Sequence, residues 1–206
     1  MPVEISWLGH ASFKLKGTKV IYTDPWKIRP GSEKADIICI THSHYDHMSP
    51  PDVKALIKHG TVIVGTPDCV GKLPGNVTPL EPGQFLDIGA VRIEAVPAYN
   101  PKKKFHPKAN GWVGYIITLD GERIYQAGDT DMIPEMGNLG ELNYALLPIG
   151  GNFTMDAAEA AKALDMIRPK TAAIPMHWGE IVGTAKDAED FKKRSHFPVR
   201  ILPPLK

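Results

Sequence analysis

Residues 41–47 read Thr-His-Ser-His-Tyr-Asp-His, which places three histidines and one aspartate within positions 42–47. Imidazole nitrogens and carboxylate oxygens are the donors that a divalent, zinc-like ion takes. His42 and His44 stand two apart, so on an extended segment their side chains point the same way. Asp46 and His47 lie past a turn and can approach the same point from another side. A polar surface loop or a helix cap would leave one feature unexplained: the apolar run Ile37-Ile38-Cys39-Ile40 switches abruptly to this cluster. A metal site is therefore the expected chemistry, with His42, His44, Asp46 and His47 as ligands.

Such a cluster needs a frame that holds it still. Ile37–Thr41 is apolar throughout, as a central strand is. Before it, Val3–Trp7, Ser12–Leu15 and Val20–Thr23 are separated by Gly9-His10 and Gly17-Thr18, which predicts a meander. After it, Ser49 reads as an N-cap with Pro50 and Pro51 opening a helix to about His59, which Gly60 stops. Strands are expected at Thr61–Gly65, Val77–Leu80, Phe85–Ile88, Ala90–Ala95, Val113–Leu119 and Glu122–Gln126. Asp120-Gly121 makes the last two a hairpin. The long stretch between Pro97 and Gly111 reads as a functional or mobile loop. The last third alternates. Tyr144–Pro148 is a strand, Thr154 caps an Ala-rich helix to about Ile167, and Thr171–Pro175 is a strand. A charged helix runs from Thr184 or Lys186 to Arg194, and Val199–Leu202 is a final strand. Two mixed sheets packed face to face, with helices outside, would bury these strands on both faces. The expected class is α/β.

The 206 residues suit one domain, 1–206, and no Ser/Gly linker divides them. The chain is 43% apolar, 23% charged and carries a formal charge of +1, a balance that makes nucleic acid a poor fit as partner. Of the two cysteines, Cys39 lies in the apolar run, so a packed thiol is expected in preference to a disulfide. The start, Met1-Pro2-Val3-Glu4, lacks the basic and apolar regions of a secretory leader, and no apolar run approaches a membrane span. A cytoplasmic protein with no membrane partner is the expectation. The oligomeric state stays open.

The pattern H-x-H-x-D-H after a strand makes the chain similar to the metallo-β-lactamase superfamily. The resemblance extends over nearly the whole length. It is nearest to a small bacterial and archaeal branch of Zn-dependent hydrolases, through Trp7-Leu8-Gly9-His10-Ala11-Ser12-Phe13, Thr23-Asp24-Pro25-Trp26, the metal motif, Gly128-Asp129-Thr130-Asp131 and Pro175-Met176-His177-Trp178-Gly179. The resemblance implies an αββα four-layer sandwich with metals at the sheet edges. It implies that Asp129 bridges two ions and that His177 serves the second.

Relatives generally supply a third histidine to the first ion from a strand end between the H-x-H-x-D-H motif and the bridging Asp129. Here that position is Asn100, and an amide rarely ligates zinc. His106, six residues on, is the expected substitute, with Asn100 or solvent as the alternative. His10 is expected to contact substrate or stabilise developing charge, and Asp24 to orient a ligating imidazole. Lys102-Lys103-Lys104 is either a solvated run or an attraction for anionic substrates. Gly150-Gly151 either lines the substrate pocket or links a strand to a helix. His59 and His196 read as structural.

Together these residues predict a hydrolase with two divalent ions, zinc first and manganese or iron as alternatives, sharing a metal-bound hydroxide organised by Asp46. Its substrate would be a small ester, lactone or phosphate ester, anionic ones included. The alternatives are an RNA or DNA phosphodiesterase and a metal-binding protein without turnover.

Overall fold

The computed structural model describes residues 2–205. The first sheet has the order β1 (Glu4–Gly9), β2 (Ser12–Lys16), β3 (Val20–Thr23), β4 (Ile37–Cys39), β5 (Val62–Gly65) and β6 (Val77–Pro79). β1 to β3 are antiparallel neighbours and β3 to β6 are parallel. The second sheet has the order β12 (Ala172–Met176), β11 (Tyr144–Pro148), β10 (Glu122–Gln126), β9 (Val113–Leu119), β8 (Val91–Pro97) and β7 (Phe85–Ile88). β10 to β12 are parallel, while β7 to β10 alternate in direction.

Strand β4 shows why an unbroken apolar run forms the centre of the first sheet. Ile37 and Cys39 point into the core shared with Phe13, Tyr115 and Ile117. Ile38, and Ile40 just beyond the strand, point the other way, onto Val53 and Leu56 of α1 (Pro50–Leu56). Both faces are covered, so every position can be apolar. The second sheet is backed by α2 (Ala157–Ile167), whose buried face is Ala157, Ala160, Ala161, Ala163, Leu164 and Ile167. α3 (Ala185–Arg194) adds Ala188 and Phe191. The layers run helix, sheet, sheet, helix, which is the αββα arrangement.

Several boundaries differ from the sequence expectation for local reasons. α1 ends at Leu56 and not near His59, because Ile57 is extended and the Thr61 hydroxyl takes the Lys58 N–H at 2.9 Å. His59 is exposed beyond the helix. Asp156, not Thr154, caps α2, accepting the Glu159 N–H at 2.8 Å. The expected strand Val199–Leu202 is reduced to one bridge, Ala173 with Val199, among Pro198, Pro203 and Pro204, which bring no N–H. Cys39 and Cys69 are free and buried. No helix among the described residues is long and apolar enough to cross a membrane.

Direction is what matters for chemistry. β1, β3, β4 and β5 run the same way, so their C-terminal ends open on one edge of the first sheet. β8, β10, β11 and β12 do the same in the second. His10, Asp24 and the His42–His47 loop follow three of the first set. Asn100, Asp129, Gly150 and His177 follow the second set. Ligand sites in mixed α/β sheets gather at such carboxyl edges.

Candidate metal centre

Three histidines form one group. His42 Nε2 and His44 Nδ1 lie 3.0 Å apart, and His106 completes a set whose donor atoms all fall within 4.8 Å of one another. Two ligands 2.0–2.1 Å from a tetrahedral zinc stand about 3.4 Å apart, so these spacings suit a common ion. His42 is held from behind. Its Nδ1 lies 3.0 Å from Thr41 Oγ1, which itself donates to Asp24 Oδ2 at 2.7 Å. With the Thr41 proton spent on Asp24, His42 Nδ1 must donate, and Nε2 keeps its lone pair for the site.

His106 reaches this group because the 100–106 segment is clasped at both ends. Asn100 N–H donates to the His106 carbonyl at 2.7 Å, and His106 N–H donates to Asn100 Oδ1 at 3.0 Å. The same amide oxygen stands 2.9 Å from His106 Nδ1, and Asn100 Nδ2 donates to the Phe153 carbonyl at 3.0 Å. The structure thus places His106 in the group and Asn100 behind it, as the acceptor that turns Nε2 inward. Lys103 pins the segment further, donating at 2.6 Å to both Asp131 Oδ1 and the Thr154 carbonyl. It is a structural fastener and not a solvated charge. Lys102 and Lys104 are exposed.

A second group gathers His10, Asp46, His47 and His177. Asp129 stands between the two. Its Oδ2 is 3.2 Å from His106 Nε2 and 3.1 Å from His177 Nε2, and its Oδ1 is 3.3 Å from His47 Nε2. His47 Nδ1 is 2.8 Å from Asp24 Oδ2, which also takes Gln126 Nε2 at 3.1 Å. Asp24 therefore orients the His47 imidazole. Backbone strain is concentrated here. His10, Asp24 and His177 all sit at positive φ, of 49°, 43° and 58°. Gly128, at φ 64°, is required before Asp129, since a Cβ there would lie 2.7 Å from the Val113 carbonyl.

His10 belongs to this group as well. It is fully buried, its Nε2 lies 2.9 Å from Asp46 Oδ2, and its carbonyl accepts from Trp7 Nε1 and from the His177 N–H. It does not border the cavity over the centre. Its ring holds Asp46 and its carbonyl holds the His177 backbone.

The charges interlock. Burial pushes the His42, His44 and His10 imidazoles below their ordinary range, which keeps them neutral and ready to donate a lone pair. Burial acts the same way on His47, but Asp129 and Asp24 on either side outweigh it and raise that pKa well above the usual value. Burial would raise Asp129, yet His177 and His47 hold it well below the carboxylate range. Asp46 is likewise lowered to about 2, burial being overcome by the His10 hydrogen bond and by His47.

The donor set fits divalent cations. Eight buried side-chain polar atoms have no hydrogen-bond partner among the described residues, and six belong to this cluster. They are His10 Nδ1, His47 Nε2, His106 Nε2, Asp129 Oδ1, His177 Nδ1 and His177 Nε2. Leaving such atoms unmatched costs about 1–3 kcal/mol each, so a fold that gathers them implies a cation they face.

Above the cluster opens a cavity of about 210 Å³, bordered by His44, Asp46, His106, Asp129 and His177 below and by Tyr45, Phe105, Phe153 and Ile181 around the mouth. No lysine or arginine is among its lining residues. Gly150 does not line it. A Cβ at Gly150 would lie 2.3 Å from the His177 carbonyl, so this glycine lets two loops pack. His196 is exposed, 3.4 Å from Asp165 and away from the site.

Sequence reading missed three supports. Thr41 and Gln126 hold Asp24, and Trp112 packs its ring 4.8 Å from His42 and 4.7 Å from His44. Trp112 also donates to Asp68 at 3.0 Å. Gln126 closes β10, whose sequence Glu-Arg-Ile-Tyr-Gln gives no signal that its last residue is buried.

A family model described as the Beta-lactamase superfamily domain matches residues 4–177. The chain is 37% identical over 206 residues to a UPF0173 metal-dependent hydrolase of Thermococcus onnurineus, with 93% of this chain and 91% of the relative covered. Among solved structures, a Parabacteroides distasonis protein described as a metal-dependent hydrolase superposes with a TM-score of 0.87 at 37% identity, covering 99% of this chain and 94% of that one. Igni18, a metallo hydrolase from Ignicoccus hospitalis, gives 0.80 at 27% identity, covering 98% and 95%.

Proposed function

Because the chain belongs to the β-lactamase superfamily, and within it to the UPF0173 metal-dependent hydrolases, we propose that it hydrolyses a small ester, lactone or phosphate ester with two divalent ions, zinc first, in the cleft over the His–Asp cluster. His42, His44 and His106 would hold one ion, Asp46, His47 and His177 the other, and Asp129 both. The observation that carries this reading is the convergence of unpartnered buried donors from several strand ends on one cluster, of which His106, Asp129 and His177 line an open cavity.

Bound there, the ions supply Lewis acidity and lower the pKa of a water toward neutrality. The chain supplies the rest. Asp46, with Oδ2 engaged by His10, stays ionised at working pH and accepts a hydrogen bond from the attacking water, which orients it. Its low pKa makes it an orienter and not a store for the proton. Asp24, Thr41 and Asn100 keep the imidazoles turned inward, so no reorganisation is needed during reaction.

The test is turnover of generic esters, lactones and phosphate esters by the metal-free and reconstituted protein, with Asp46→Ala beside it. Turnover should appear with metal, vanish with chelator, and fall by several orders of magnitude in Asp46→Ala. Metal-independent turnover, or a variant as active as the parent, contradicts the reading.

A further inference from the structure

Resting on that reading, we infer that the cleft selects uncharged carbonyl esters and lactones that carry an apolar group beside the scissile bond. The collar at the mouth is the basis. Six large hydrophobic side chains stand exposed among the described residues: Tyr45, Val70, Phe85, Phe105, Ile181 and Leu205. Three of them, Tyr45, Phe105 and Ile181, line this one cavity. Phe153 joins them, its ring edge-on to Phe105 with centroids 4.7 Å apart.

Each of the four comes from a different loop. Tyr45 follows β4, Phe105 follows β8, Phe153 follows β11 and Ile181 follows β12. Packing of the fold does not require them, since Tyr45 and Phe105 are 69% and 44% exposed. Apolar side chains from four separate loops that converge on one opening mark a binding surface. The volume of about 210 Å³ is that of a small molecule, somewhat more than a cavity of about 150 Å³ that takes benzene.

Charge points the same way. The ionisable groups lining the cavity are the carboxylates and imidazoles of the centre. Lys103, on the same loop as Phe105, is spent on Asp131 and the Thr154 carbonyl. A phosphate ester would meet the ions of the centre but no arginine or lysine on the lining, and its charged oxygens would sit against the apolar collar. Lys103 fastens the loop that carries Phe105, and Lys102 and Lys104 stand exposed on it.

The experiment uses the metal-loaded full chain. kcat/KM is measured for p-nitrophenyl acetate, butyrate and hexanoate and for p-nitrophenyl phosphate. Equilibrium binding of the product acids acetate, butyrate and hexanoate is measured beside it. The same is done for Phe105→Ser and Ile181→Ser, both at exposed positions. Rate and affinity should each rise about two- to fourfold per methylene, from the ~0.8 kcal/mol of a buried CH₂ scaled for partial burial. Both variants should flatten that slope, and the phosphate should be the poorest substrate.

Metal-dependent turnover that ignores chain length, prefers the phosphate, or keeps its slope in both variants overturns the inference. If no ester is turned over, the hydrolytic reading has failed, and the binding series decides the collar separately. A chain-length slope lost in the variants upholds it, and equal binding of the three acids overturns it.

Discussion

Asn100 is the residue on which the first ion's site depends without touching it. Its amide oxygen receives both the His106 backbone N–H and the ring Nδ1–H, at 3.0 and 2.9 Å. Acceptors in this position typically govern 10–100-fold in metal affinity. Asn100→Ala should weaken one site by about that factor in chelator competition, while Asn100→Asp, which keeps the acceptor, should retain most of it. An Asn100→Ala protein with both affinities unchanged would show that His106 needs no partner. The members of the cluster were largely legible in sequence, since H-x-H-x-D-H spells four of them and the resemblance asked for a third nitrogen near His106. Asn100 looked like a defect in the pattern because a hydrogen bond across six residues leaves no spacing rule to read. The contact of His10 with Asp46 had no spacing rule to reveal it either, since the two lie 36 residues apart.

Strand directions decide which loops can meet, and here the carboxyl ends of β1, β3, β4, β8, β10, β11 and β12 bring every site residue to one rim. Hydrophobic runs and turn residues exposed the strands readily. Pairing order and direction were inaccessible, because they depend on contacts distant in the chain. Helix ends failed where a tertiary hydrogen bond intervened, as when the Thr61 hydroxyl captured the Lys58 N–H. The first sheet also buries both thiols, and this gives a pH prediction. Burial pushes Cys69 up to about 11 from an ordinary value near 9, and Cys39 is raised as well. A thiol raised on folding favours the fold fully below its unfolded pKa, and that contribution is lost as pH rises through the folded pKa. The stability advantage of the parent over Cys69→Ala should therefore be constant to about pH 8 and shrink between about pH 9 and 11, by roughly 2–3 kcal/mol at most. Denaturant titrations across that range give the answer. A gap independent of pH would mean that the thiol is not held neutral by burial. Both thiols should also resist thiol reagents at pH 8 in the folded protein.

At the scale of the whole molecule, two sheets meet along an edge where each contributes residues of the His–Asp cluster, so ions held there would fasten the halves together. The first sheet supplies His42, His44, Asp46 and His47, and the second supplies His106, Asp129 and His177. A ligand that binds only the folded state at a thousand times its Kd adds ~4 kcal/mol. In a chain of this size each kcal/mol is worth about 2–4 °C in Tm. Chelation should thus lower Tm by about 10 °C or more, and reconstitution should restore it. An unchanged Tm after verified metal removal would mean that the ions do not join the halves. The central claim, that these residues form two ion sites sharing Asp129, is tested most directly by elemental analysis of the reconstituted protein and of His106→Ala, both after dialysis against trace metal. The account predicts two equivalents in the parent and one in the variant. A parent that holds less than about a tenth of an equivalent, or a variant that still holds two, would contradict it.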